Sequence, residues 1–316
     1  MIAKYEGCLL GLAIGDALGA PVEFLTLDGI KMLYGKNGVT DFHDWNGFPI
    51  GSYTDDTQMA LATAQGCLNA YERWENRGIC NVTFQIYKCY LEWLEFQSNP
   101  KEVRGPGNTC IKALQSGKMG TLENRINDRK GCGGVMRTAP IGLTFPPDKA
   151  FQQGAECAAI THGHPSGYLS AGFLSEMISL IIDGKTLDES IDLSIKQLIK
   201  YEGYEETLDK VKQACELANT KKSVINSIQE IGGGWVGEEA LAISIYCSLK
   251  FSDNWEKGVL ASVNHSGDSD STGAITGAIL GALIGIKGIP EKLVRDVENC
   301  YWIKKLAIEM FNKFRN

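Results

Sequence analysis

The chain of 316 residues holds ten cysteines but no CxxC pair, so neither a disulfide framework nor a zinc ribbon is indicated. The thiols read instead as small buried apolar residues in a reducing compartment. Excess basic charge is also missing. Asp and Glu number 38 against 31 Lys and Arg, a formal charge of −7, which speaks against a nucleic-acid partner held by a basic face. No apolar stretch is long enough to span a bilayer. The longest, Ala274 to Ile286, contains Thr276 and three glycines and excludes a membrane-spanning reading. Alternating β-branched runs are scarce, and no low-complexity linker or solenoid repeat divides the chain.

What remains is a globular composition, with 44% apolar and 22% charged residues, and helical periodicity almost throughout. Helices are expected near residues 3–19, 55–74, 81–97, 107–116, 133–144, 148–161, 166–183 and 187–200. Six more are expected near 205–219, 221–230, 237–250, 254–263, 271–286 and 291–314. Residues 25–53 carry Gly, Asp, Asn and Pro without a helical period and read as a long ordered loop, a feature that in a compact domain is usually functional. The expectation is one compact all-α multi-helix domain over residues 1–316. The apolar run after Lys4 imitates a signal peptide, but Glu6 and Asp16 interrupt it; it reads as a buried helix of a cytoplasmic protein.

Glycine is the compositional outlier, with 36 copies against a usual share of ~7%. Gly7, Gly11, Gly15 and Gly19 recur every fourth residue, as do Gly273, Gly277, Gly281 and Gly285. Inside a helix each costs up to ~1 kcal/mol relative to Ala. A bare i±4 ridge lets another backbone approach closely, so both helices are expected at the centre of the fold.

Two acidic clusters precede expected helices. In Tyr53-Thr54-Asp55-Asp56-Thr57-Gln58 the Asp55/Gln58 spacing matches a capping box, so one reading is capping alone. The second cluster, Gly267-Asp268-Ser269-Asp270-Ser271-Thr272-Gly273, weakens that reading, because a cap needs one acid and the helix that follows has no polar face. Four carboxylates entering a packed core repel one another, and two hard divalent cations balance their charge. No Cys/His set supports zinc, and the spacing does not fit an EF-hand.

The chain resembles the ADP-ribosylglycohydrolase family, the dinitrogenase-reductase-activating glycohydrolases and the ADP-ribosyl-acceptor hydrolases. Four stretches carry the resemblance: Gly7 to Phe24, Tyr53 to Gln58, Thr161-His162-Gly163-His164, and Gly267 to Gly273. It implies a compact all-α bundle of the ADP-ribosylglycohydrolase type with two Mg²⁺ or Mn²⁺ ions. The implied reaction is hydrolysis of the bond between ribose C1″ of ADP-ribose and an acceptor. Carried over by position, the metal ligands are Thr54, Asp55, Asp56, Asp268, Asp270 and Ser271. Asp56, Asp270 and Glu23 fall at catalytic positions, Glu23 as an acid near the scissile bond that activates water, positions substrate or relays a proton.

An acidic protein can still hold a diphosphate on backbone N–H groups. The two glycine loops Gly105-Pro106-Gly107-Asn108-Thr109 and Gly131-Cys132-Gly133-Gly134 are the candidates, each expected to open a helix aimed at the anion; an ordinary turn is the plain alternative. His162 matches a family site histidine and His164 reads as structural. Trp235, in Gly232-Gly233-Gly234-Trp235-Val236-Gly237-Glu238-Glu239, is a candidate wall for the acceptor pocket. Glu23, Glu238 and Glu239 are the acids placed to meet a guanidinium.

The resemblance points to ADP-ribosyl-arginine as substrate, on a modified protein or a small ADP-ribose conjugate, acted on by a monomer. Three alternatives stay open: a relative that binds ADP-ribose without turnover, a hydrolase of serine-linked or O-acetyl-ADP-ribose, and a thiol hydrolase using Cys132 with His162.

Overall fold

A computed structural model describes residues 1–315. Among them the chain forms sixteen α-helices and two short 3₁₀ turns, and its only β pairing is two isolated bridges. The first eight helices are α1 (Ile2–Gly19), α2 (Leu27–Tyr34), α3 (Asp55–Arg77), α4 (Val82–Phe96), α5 (Asn108–Gln115), α6 (Ala139–Thr144), α7 (Pro147–Ala159) and α8 (Pro165–Ile182). The others are α9 (Leu187–Leu198), α10 (Glu205–Ala218), α11 (Val224–Ile231), α12 (Gly237–Lys250), α13 (Trp255–Val263), α14 (Ser269–Ile284), α15 (Glu291–Asp296) and α16 (Cys300–Phe314). No described helix is long and apolar enough to cross a membrane.

The architecture is built on the glycine stripes. Helices α1 and α14 run antiparallel, with Gly7 opposite Gly281, Gly11 opposite Gly277, Gly15 opposite Gly273, and Gly19 opposite Ser269. A Cβ added at any of these four α1 glycines would collide with a backbone carbonyl of α14, so the two backbones touch. The loss of helix propensity is offset by this contact and by burial on every side, since nearly every residue of both helices is buried. Gly285 departs from the expected stripe: it lies just past α14 with φ of +82°, where it ends the helix. Helices α3, α8, α12, α13 and α16 pack around the central pair. A smaller cluster holding Met59, Tyr90, Trp93 and Ile141 fills the space between α3 and α4.

Three local expectations are corrected. The loop expected at 25–53 contains α2, capped by Thr26, whose hydroxyl accepts the Gly29 N–H at 3.2 Å; it buries only Ile30, too weak an apolar pattern to read in sequence. The expected helix at 133–144 begins as a 3₁₀ turn, Cys132–Gly134, and becomes α-helical only at Ala139. The expected single helix at 291–314 is broken at Asn299, whose φ is +56°, where Glu298 turns inward to pair with Arg104.

Candidate metal centre and substrate cleft

The antiparallel pairing sets the C-terminal end of α1 beside the N-terminal end of α14. Asp16 is the bolt that adds α3. It is fully buried, and its carboxylate accepts the Thr54 N–H at 2.9 Å, the Thr57 N–H at 2.9 Å and the Thr57 hydroxyl at 2.5 Å. Burial, then the charge of Asp270, pushes Asp16 up to about 7. Asp16 was missed as a site residue in the sequence. The available signal was an acid on a helix that is otherwise apolar all round, since a buried carboxylate needs partners.

With the three ends joined, the acids converge. Glu23, Asp55, Asp56, Asp268 and Asp270 all line one cleft of about 270 Å³. One carboxylate oxygen from each of Glu23, Asp268 and Asp270 lies within 4.8 Å of the other two. The sequence reading kept Glu23 apart from the metal ligands, whereas the structure groups it with Asp268 and Asp270.

The capping alternative fails on geometry. The cap of α3 is Thr54, whose hydroxyl accepts the Asp56 N–H at 3.2 Å, and Gln58 turns away to accept the Trp93 indole N–H at 3.0 Å. Asp268 stands at the N-cap position of α14 without making a side-chain cap. Of the four aspartates only Asp270 spends an oxygen on its own helix, its Oδ1 accepting the Ser271 N–H at 3.0 Å. Asp56 Oδ2 is buried with no hydrogen-bond partner. The Ser271 hydroxyl lies 4.0 Å from the Met136 sulfur and beside Asp268.

Burial and then Asp270 raise Asp55, Asp56 and Asp268 well above the usual carboxylate range. Burial also raises Asp270, and burial with Asp270 and Asp268 pushes Glu23 up to about 10. Such a set needs protons or cations. A buried orphan oxygen and an all-oxygen donor set fit a hard divalent cation of the Mg²⁺ or Mn²⁺ type.

The first glycine loop frames one side of the cleft. Arg104 fixes it: the guanidinium forks onto Glu298, with Nη2 2.9 Å from Oε1, and Nη1 donates to the Tyr53 carbonyl at 3.1 Å. The Arg104 carbonyl accepts the Asp55 N–H at 3.0 Å, which ties the loop to α3. Gly105, Gly107 and Asn108 line the cleft. Asn108 also lines a neighbouring cavity of about 560 Å³ with Thr109, Lys112, Lys118 and Arg129. None of these three cations makes any of the ion pairs found among the described residues.

The second loop differs from expectation, because a single 3₁₀ turn replaces the helix whose end was to meet an anion. Cys132 and Gly133 line the cleft, while Gly131 and Gly134 back onto the His162 ring. His162 is buried behind the loop with Nδ1 2.9 Å from the Thr161 hydroxyl, and burial pushes it down to about 3. The Cys132 thiol donates to Asp268 Oδ2 at 2.8 Å. The pairing a thiol hydrolase requires is thus absent: the thiol faces a carboxylate and the imidazole faces a hydroxyl. His164 caps α8, its Nδ1 accepting the Ser166 N–H at 3.2 Å.

Of the three acids expected to meet a guanidinium, Glu23 alone lines the cleft. Glu238 is not free for substrate, as it pairs with Lys130 at 2.6 Å and is buried. Glu239 accepts the N–H groups of Gly233 and Gly234 at 3.1 and 3.2 Å. Trp235 lines the cleft opposite Phe24.

Comparison with known proteins gives the family and the fold. The family model "ADP-ribosylglycohydrolase" matches residues 1–316. An ADP-ribosyl-[dinitrogen reductase] glycohydrolase of Rhodospirillum rubrum is 27% identical over 98% of this chain and 92% of its own length. An ADP-ribosylarginine hydrolase, Tri1, of Pseudomonas putida is 26% identical over 98% of this chain and 78% of its own. A solved structure of an ADP-ribosylglycohydrolase-related protein complex shares the fold, with a TM-score of 0.75 at 22% identity over 99% of this chain and 98% of that one. With every acid of the two clusters and Glu23 meeting in one cleft, and a family model that matches from end to end, the chain belongs to the ADP-ribosylglycohydrolase family.

Proposed function

We propose that this chain, acting as one unit over residues 1–316, hydrolyses the bond between ribose C1″ of ADP-ribose and an arginine guanidinium, and that it uses two Mg²⁺ or Mn²⁺ ions. The observation that carries the reading is the convergence of five otherwise unneutralised acids on one cleft. Thr54, Asp55, Asp56, Asp268, Asp270 and Ser271 would hold the ions. Divalent ions at such a site orient sugar hydroxyls and lower the pKa of water.

The chain's own groups supply the rest. Asp56 and Asp270 fix the ribose end from opposite helices. Glu23, in the turn beyond α1, takes the proton of the attacking water and delivers it toward the departing nitrogen, a role open to it once bound cations would offset the neighbouring carboxylate charges. Cleavage of an N-glycosidic bond passes through an oxocarbenium-like state, and the negative cleft stabilises the positive charge on C1″.

The ADP end needs more room than the acidic cleft offers, since sites for ligands of this size span ~300–1,000 Å³. The cavity beyond Asn108 supplies it, and Lys112, Lys118 and Arg129 give that cavity the charge a diphosphate requires. Arginine as acceptor is favoured by the negative leaving-group side, by the run Thr54-Asp55-Asp56-Thr57-Gln58, and by the ADP-ribosylarginine hydrolase among the relatives.

The test is release of ADP-ribose from arginine-linked, serine-linked and O-acetyl substrates with Mg²⁺, Mn²⁺ or EDTA. Metal-dependent release from the arginine-linked substrate is expected. Turnover that survives EDTA, or release from the serine linkage alone, overturns the reading.

A further inference from the structure

Two large aromatic rings stand at the rim of the acidic cleft, and neither is needed by the core. Phe24 and Trp235 stack with centroids 5.2 Å apart and planes 21° apart, yet Phe24 stays 74% and Trp235 41% exposed. Both line the cleft beside Glu23. Phe24 also carries a conformational cost. Its φ is +68°, in the left-handed region that crowds the Cβ of an L-residue against the following carbonyl oxygen. A ring so exposed recovers little of that by burial, and glycine would adopt the same backbone freely. Strain of this kind persists where geometry is held for a purpose.

Trp235 is presented from a backbone clamped on both sides. Its carbonyl accepts the Cys132 N–H at 3.1 Å. Two residues earlier, the Gly233 carbonyl accepts the Asp268 N–H at 2.8 Å, and Glu239 pins the Gly233 and Gly234 N–H groups. The indole is therefore fixed relative to Cys132 and Asp268, two residues of the cleft itself.

The charge around the rings narrows what they meet. Glu23 stands beside them in a cleft lined otherwise by Asp55, Asp56, Asp268 and Asp270, so the rim favours a cation. A planar cation on an indole face gains a cation–π contact that a neutral acceptor lacks.

We propose that the Phe24–Trp235 stack is the acceptor-side specificity platform: Trp235 carries the arginine guanidinium on its exposed face, across from the Glu23 carboxylate, and Phe24 braces the indole. The proposal rests on the arginine-directed reading above. It assigns to two aromatic side chains a discrimination for which the sequence offered Glu23, Glu238 and Glu239, the last two of which are engaged elsewhere.

The experiment compares kcat/KM on ADP-ribosyl-arginine and on O-acetyl-ADP-ribose, with metal, for the wild-type chain and for Trp235→Ala, Trp235→Phe and Phe24→Gly. The readout is the ratio of the two values. The ratio is expected to fall roughly tenfold in Trp235→Ala, mostly through KM, as loss of a partly desolvated cation–π contact predicts. Trp235→Phe, which keeps an aromatic face, should recover most of it. Phe24→Gly should lower the ratio while raising the melting temperature, because the strain is relieved as the brace is lost. An unchanged ratio in Trp235→Ala overturns the proposal. If the wild-type chain hydrolyses O-acetyl-ADP-ribose in a metal-dependent way but not ADP-ribosyl-arginine, the arginine reading fails and the platform falls with it. That outcome is distinct from a wild-type preference for arginine that the variants leave intact.

Discussion

Replacing Gly15 with Ala tests whether the glycine stripe assembles the site. The added methyl would lie well inside 3 Å of the Gly273 carbonyl, where ordinary contact begins near 3.4 Å. The obstacle is backbone, so no rotamer can relieve it, and α1 must part from α14 by about 1 Å or more to restore a contact of 3.5–4.0 Å. Overpacking of this kind costs about 1–3 kcal/mol or more, against a gain of up to ~1 kcal/mol in helix propensity. A net loss of about 0–2 kcal/mol is expected, up to a few degrees in Tm. Gly7→Ala meets an equivalent clash with Gly281 at the far end of the same helix pair and should lose similar stability. The two should differ in function. Gly15 lies one residue from Asp16 and opposite the start of α14, so Gly15→Ala should also weaken Mn²⁺ binding at least tenfold, measured by calorimetry on folded protein. Gly7→Ala should leave that affinity within a factor of about two. Equal Mn²⁺ affinity in both variants and the wild type would refute the claim that the close approach sets the carboxylate geometry.

The parts of this fold that follow local rules were legible in the sequence. Helix α12 was expected at 237–250 and is Gly237–Lys250, because its apolar pattern and its acidic first turn agree. The central pair was legible because eight glycines at a spacing of four have few other uses. Asp16 and Glu23 show what was not. Asp16 acts through Thr54 and Thr57, 38 and 41 residues away, and no periodicity reports such a partnership. Glu23 joins Asp268 and Asp270 only because the chain turns back after Gly19, and that turn includes Phe24 at positive φ, which no propensity favours. Glu238 was misplaced for a related reason. Sequence gives its distance from Trp235 but not the presence of Lys130, more than a hundred residues earlier, which claims it at 2.6 Å. Local capping was also misjudged: Asp55 with Gln58 has the right spacing for a box, but Thr54 reaches the backbone first and leaves both aspartates to the cleft.

Asp270→Asn should abolish metal-dependent turnover and weaken Mn²⁺ binding by calorimetry while preserving the far-ultraviolet circular dichroism, because the metal-free acids already repel one another; normal metal binding would show that the ligand assignment is wrong. Lys112→Ala combined with Arg129→Ala should raise KM for ADP-ribosyl-arginine about tenfold or more with little change in kcat, since charged hydrogen bonds to a diphosphate act on binding; an unchanged KM would place the ADP end elsewhere. Glu176, remote from the cleft on α8, gives a pH test of the core. It is buried with Oε2 unpartnered, and burial pushes it up to about 7 from 4.5, opposed only by a Ser194 hydrogen bond and the charge of Lys200, with Tyr201 nearby. A raised carboxylate pKa means that between pH 4.5 and 7 the unfolded chain loses its proton while the folded one keeps it, so this group makes folding less favourable as pH rises through that window, and the cost is constant above it. The shift sets a ceiling of about 3 kcal/mol, and partial contact with solvent lowers the expectation to about 1–2 kcal/mol. Glu176→Gln should therefore raise Tm at pH 8 by more than at pH 4.5, with the difference appearing between those values. An equal change at both pH values would mean that folding leaves the pKa of this carboxyl unshifted.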